Sequence, residues 1–148
     1  MTALALLAAG VCALLRPAEI KLVQGAAPVQ AVPSPPQPDG PLVAEQCFYR
    51  LPDPARSVSL EVRRAPPAAL RQRWESMIDS DQPGEERAPP RQVKGIGRRA
   101  LWVGNAKSSA LYVLGRSGIV RISVGGPAGP EAKLAACKSL ARKVLRRM

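Results

Sequence analysis

The chain's reactive inventory is three cysteines, eleven carboxylates and no histidine. Without an imidazole, Ser-His-Asp and Cys-His catalysis, His-ligated metals and the usual near-neutral proton relay are excluded. Cys12, Cys47 and Cys137 are separated by 35 and 90 residues, which matches no zinc-ligand spacing. Asp79-Ser80-Asp81-Gln82-Pro83-Gly84 opens like a calcium loop, with acids at its first and third positions and glycine at its sixth. Pro83 then holds the fifth position, and Pro90 stands where the bidentate glutamate is required, so an exposed acidic loop is the better reading. Gly95-Ile96-Gly97 lacks the third glycine of a dinucleotide fingerprint and leads into a strand pattern, which makes it a turn. Ser117, within Gly115-Arg116-Ser117-Gly118, has no base to activate it and sits between two strand patterns, as in a hairpin. Paired carboxylates could still do acid–base work, but the acids fall in exposed turns or helix ends and nothing in the sequence brings two together. The expectation is a protein that is not an enzyme, with no cofactor and no metal.

The charge is the stronger signal. The chain has 148 residues, the size of one domain, with 22 Lys+Arg against 11 Asp+Glu and a net charge of +11. Residues 91–148 hold thirteen basic residues and one acid, whereas residues 1–90 hold nine and ten. On the last helix Lys138, Arg142, Lys143, Arg146 and Arg147 lie opposite the apolar stripe, and with Arg98 and Arg99 they form the candidate partner surface. Such a face suits nucleic-acid phosphates, anionic lipid headgroups or an acidic partner. Nucleic-acid readers add stacking aromatics or a named motif. Here aromatics are 3% of the chain, and Trp102 and Tyr112 fall within strand patterns. Binding of the last helix to a membrane surface would need its apolar face free, and the core requires that face. The competing reading is a solvated basic face with no specific ligand, because a GC-rich genome also enriches Arg, Pro and Ala.

Alternation and helical spacing define the elements that must carry these groups. Residues 17–24 read as a helix, with Pro17 at its first position, Glu19 near its positive end and Gly25 as its left-handed stop. Arg16 occupies the cap position where Ser, Thr or Asp is usual. Residues 26–44, rich in proline, have no helical or strand period and read as an exposed connection of polyproline character. Residues 47–51 and 57–63 alternate as strands. Leu70, Trp74, Met77 and Ile78 form one helical stripe, followed by a loop over 79–93. Residues 100–103, 110–114 and 119–124 read as three further strands, and Pro130 opens a final helix to residue 148. The expected fold is α+β, an antiparallel sheet of about five strands with helices on one face, in the order α-β-β-α-β-β-β-α.

The uncharged apolar run at residues 1–15 is too short to span a membrane. Residues 1–10 read as the remnant of an export signal, although no basic stretch precedes them, with 11–148 as a single α+β domain. A first core helix of a cytoplasmic protein is the alternative. Cys12-Ala13-Leu14-Leu15-Arg16-Pro17-Ala18-Glu19-Ile20, the later Cys47-Phe48-Tyr49, the Gly95-Ile96-Gly97 ahead of a strand and the basic final helix resemble a family of small exported bacterial domains. Two departures stand out: Arg16 replaces a capping Thr, and Arg98-Arg99 stand where acids often follow the glycine pair. The resemblance covers roughly residues 11–148 and implies export and a fold of the PsbP-like kind, with no chemistry. In an exported protein Cys12 and Cys47 are the natural disulfide, tying the first helix to the first strand, and Cys137 is a buried thiol; in a reducing compartment all three stay free. The function expected is a non-catalytic periplasmic or secreted domain that binds an anionic partner of the cell envelope. The alternative is a cytoplasmic nucleic-acid-binding protein.

Overall fold

Pro17 pre-sets the helical φ of the first position, and the Arg16 backbone N–H donates to Glu19 Oε1 at 2.8 Å. Helix α1 (Pro17–Gln24) therefore starts without a conventional cap, and it stops at Gly25, whose φ of 84° only glycine adopts readily. The computed structural model describes residues 10–80, 88–104 and 108–148, with the side chains of 78–80 and 88–89 also outside that set. Residues 1–9 of the expected export remnant and most of the calcium-like acidic loop lie outside the described residues.

After a 3-10 turn at Val11–Leu14 and helix α1 come strands β1 (Gln30–Asp39), β2 (Leu42–Arg50) and β3 (Val58–Arg64). Helix α2 (Pro67–Ser80) leads to β4 (Ala88–Gln92), β5 (Arg99–Gly104), β6 (Ser109–Leu114) and β7 (Gly118–Val124), and helix α3 (Pro130–Arg147) closes the order. The strands form one antiparallel sheet in the order β1-β2-β3-β7-β6-β5-β4. Each half is a meander, and the two halves meet where β3 pairs with β7.

The α+β class is as expected, but the sheet has seven strands, not about five. Both additional strands are proline-rich edges. The stretch expected as a connection over 26–44 supplies β1, and the loop expected over 79–93 supplies β4. An edge strand bonds on one side only, so alternate backbone nitrogens are free to belong to proline. In β1 the register breaks between Ser34 and Gln37, at Pro35-Pro36, and in β4 between Ala88 and Arg91, at Pro89-Pro90. The same prolines make each edge a poor template for another chain.

Nor are the helices confined to one face. Successive strand residues point to opposite faces, and both faces carry a core. Leu60, Val62, Leu111, Val113, Val120 and Ile122 join the 3-10 turn, Ile20 of α1 and Leu134, Cys137, Leu140 and Val144 of α3. On the reverse face, Leu42, Leu114 and Ile119 pack beneath Leu70 and Trp74 of α2, with Met77 partly buried beside them. Trp74 Nε1 has no hydrogen-bond partner among the described residues.

The Cys12–Cys47 disulfide joins the 3-10 turn to β2 across a Cα–Cα distance of 5.2 Å. Beside it the buried Tyr49 hydroxyl donates to the Cys12 carbonyl at 2.8 Å. Burial holds that phenol well above its ordinary range. At the far end of α1, Gln24 Nε2 donates to the carbonyls of Arg56 (2.6 Å) and Gly125 (3.0 Å), fixing the helix to two loops at once. Cys137 is fully buried, its thiol 3.6 Å from the Ile122 carbonyl, and burial pushes its pKa up to about 12.

Candidate functional site

The seven basic residues singled out above divide into two sets. Arg142 and Arg146 are exposed on the outer side of α3, with the half-buried Lys138 on the same stripe, and Arg98 and Arg99 are exposed at the start of β5. Arg147 turns inward. Its Nη1 and Nη2 donate to Glu19 Oε1 at 2.6 Å and Oε2 at 2.7 Å, and Nη1 also reaches the Leu14 carbonyl at 2.9 Å. Lys143 Nζ lies 4.0 Å from the same carboxylate. The Arg147 fork, acting against the cost of burial and helped by the Arg16 backbone N–H and Lys143, holds the Glu19 carboxyl down at about 2. Arg147 and Lys143 therefore belong to a clamp between α1 and α3, in which the Glu19 carboxylate answers one of their two positive charges.

At the other side of the α3 terminus three segments converge. The Gly115 N–H donates to the Gly118 carbonyl at 2.9 Å, closing the β6–β7 hairpin around Arg116 and Ser117. The Val93 N–H meets the Ala100 carbonyl at 3.0 Å and the Arg98 N–H meets the Leu114 carbonyl at 2.8 Å, so the turn before β5 is strapped beside that hairpin. Within the turn Ile96 is buried, and Gly97, at φ 60°, packs so closely that a Cβ there would stand 2.4 Å from Val113 Cγ1. Gly115 is as tight against α3, since a Cβ would meet Leu145 Cδ2 at 2.8 Å. The two glycines let the turn, the hairpin and the helix end approach. Between them lies a cleft of about 410 Å³, with Arg98, Arg116 and Ser117 on its walls and Leu145 and Met148 as its apolar side. Among the described residues no acidic side chain lines it. Neither Arg98 nor Arg116 has an ion-pair partner among the described residues, so both guanidiniums face solvent and anything anionic in it.

The turn and the hairpin are where the sequence places them. The cleft is not legible there, because Arg116 reads only as a turn residue, and Leu145 and Met148 only as part of an apolar helix face. Their meeting depends on how α3 lies across the sheet.

In a second polar cluster the fold brings two acids to one arginine, a meeting that nothing in the sequence indicates. Asp39, at the end of β1, and the buried Glu61 of β3 both bind Arg63: Nε reaches Asp39 Oδ2 at 2.9 Å, and Nη1 bonds Glu61 Oε1. Arg73 of α2 also holds Asp39, and Gln46 Nε2 donates to Glu61 Oε2 at 2.5 Å. A groove of about 480 Å³ lies over this network, walled by Ser34, Pro35 and Pro38 of β1. The guanidinium of Arg73, seconded by Arg63, holds the Asp39 carboxyl below its ordinary range. Two carboxylates face two guanidiniums, with Asp39 kept ionised, and the arrangement anchors β1 and α2 to the sheet. Among the described residues no three Cys, Asp or Glu side chains gather as metal ligands, and no helix is long and apolar enough to cross a membrane. No protein-family model, curated protein or solved structure matches the chain.

Proposed function

We propose that this protein is a small exported binding domain, without catalytic activity, that holds an anionic partner of the cell envelope at its basic end. One observation carries the reading. Residues 91–148 hold thirteen basic residues and one acid, and among them Arg98, Arg99, Arg116, Arg142 and Arg146 are exposed and have no ion-pair partner among the described residues. Arg16, Arg50, Arg64 and Arg71, likewise exposed and without an ion pair among the described residues, lie in the first 90 residues, where nine basic residues meet ten acids. Charge left uncompensated at one end of a fold raises the local concentration of anions and speeds their capture. Support for export comes from the Cys12–Cys47 disulfide, a bond that persists in oxidising compartments, together with the apolar start of the chain and its resemblance to small exported bacterial domains.

A nucleic-acid ligand is less well served. The most exposed aromatic, Phe48, lies on the sheet face opposite α3, Tyr49 and Trp74 are buried, and Trp102 and Tyr112 are partly buried against the two cores, which leaves little ring surface at the basic end for stacking. The test is retention on phosphocellulose as salt is raised. Reversing Arg98, Arg99, Arg142 and Arg146 to Glu is expected to abolish retention at low salt, and unchanged retention would refute the assignment of this surface. Cell fractionation of the tagged chain checks the location, where a full-length cytoplasmic pool would remove the export argument.

A further inference from the structure

Resting on that reading of the basic end, the geometry points to a specific ligand class for the cleft beside the α3 terminus: an anionic amphiphile, a phosphate-like headgroup joined to an apolar chain. Its walls divide by chemistry. Arg98 and Arg116 line it with two guanidinium forks, each able to hold two oxygens of one tetrahedral anion, and Ser117 adds a hydroxyl donor to the lining. Leu145 and Met148 form the apolar side, both only partly buried by the protein itself, and the thioether chain of methionine adapts its shape to what it contacts. Gly97 and Gly115 add no side chain to fill the space.

A free anion would leave the two apolar residues wet, and an uncharged hydrocarbon would leave the two guanidiniums unanswered. A ligand with both parts satisfies both walls. The volume of about 410 Å³ lies in the range of roughly 300–1,000 Å³ usual for small-ligand sites, enough for a headgroup and the first part of a chain. The cleft is rigidly built. Hydrogen bonds from Gly115 to Gly118 and from Arg98 to Leu114 fix its two loops, and the tight Gly115–Leu145 approach fixes the helix against them.

The test follows the backbone amides of Gly97, Gly115 and Ser117 by heteronuclear NMR in the intact chain. Dodecyl phosphate, kept below its micelle concentration, is expected to shift them saturably. Inorganic phosphate should bind about tenfold or more weakly, and dodecyl maltoside should leave the three amides in place. Replacing Arg98 and Arg116 by Ala should weaken dodecyl phosphate about tenfold or more, whereas R142E with R146E should leave it within about twofold. Equal affinity for inorganic phosphate would reduce the cleft to a simple anion site and overturn the proposal. So would dodecyl phosphate binding that ignores Arg98 and Arg116, or the absence of saturable shifts. Failure here, with phosphocellulose retention still lost on reversing Arg99, Arg142 and Arg146, would remove the amphiphile site and leave the broader function standing.

Discussion

Replacing Glu19 by Gln removes the negative charge that Arg147, Lys143 and the Arg16 backbone N–H share, and it should leave a signature in the pH dependence of stability. The carboxyl titrates at about 2 in the fold against 4.5 as an ordinary glutamate. Each pH unit of separation is worth ~1.4 kcal/mol, which sets a ceiling of roughly 3.4 kcal/mol on its contribution. The Glu19 and Arg147 side chains are 14% and 24% exposed, so solvent screening lowers the figure to about 2–3 kcal/mol. Because the folded pKa is the lower one, the unfolded chain takes up the proton first as pH falls. The contribution is therefore fully present above about pH 5, declines between 4.5 and 2, and is gone below that. Urea unfolding of the wild type and of Glu19→Gln, at low ionic strength from pH 7 to pH 2, reads the difference directly. The stability gap between the two proteins should be constant at neutral pH and shrink by about 2–3 kcal/mol across the acid range. Other carboxylates titrate equally in both proteins and cancel. A gap that does not change with pH would refute the reasoning, since Glu19 would then titrate alike in folded and unfolded chains.

Arg147→Ala should destabilise the fold by about 2 kcal/mol, while Arg142→Ala and Arg146→Ala stay within about 0.5 kcal/mol, a contrast that separates the clamp from the exposed stripe in the same denaturation assay. Replacing Cys12 and Cys47 by Ser opens a loop of sequence separation 35, worth about 3–4 kcal/mol in loop-closure entropy and roughly 7–15 °C in Tm by calorimetry. A thiol count with a chromogenic disulfide reagent at pH 8 should find no reactive group in the folded protein, one in denaturant and three after reduction, because Cys137 is buried and the other two are bonded. Gly97→Ala, forced into φ 60° and against Val113, should cost about 2–4 kcal/mol by urea titration and blur the amide spectrum of the neighbouring hairpin.

Where neighbouring residues decide the conformation, the element is visible in the chain itself. Pro17 and Gly25 bound α1, the alternation of Val58, Leu60 and Val62 makes β3, and the apolar stripe from Leu134 to Val144 makes α3. The proline-rich edges were illegible because polyproline and extended strands occupy nearly the same φ/ψ region, and what makes β1 a strand is the presence of β2 beside it. The second face was equally hidden. The alternation in β7 is overlaid by Ile119 on the reverse side, and only the position of α2 shows that Ile119 has a core of its own to join. Two acids, Asp39 and Glu61, lie 22 residues apart in the sequence and meet only through Arg63.

The basic end divides in the same way. Composition by itself determined that the positive charge is concentrated after residue 90 and that no imidazole is available to the chain. Helical spacing determined that Arg142, Lys143, Arg146 and Arg147 lie off the apolar stripe. Only the tertiary structure decided which of those charges remain available, because that depends on where α1 brings Glu19. It turns Arg147 inward to a carboxylate 128 positions earlier in the chain. Arg116, unremarkable in sequence, stands beside Arg98 over a cleft closed by Leu145 and Met148. A local pattern sets which face of an element a residue occupies, and the partner on that face is set by elements far away in sequence.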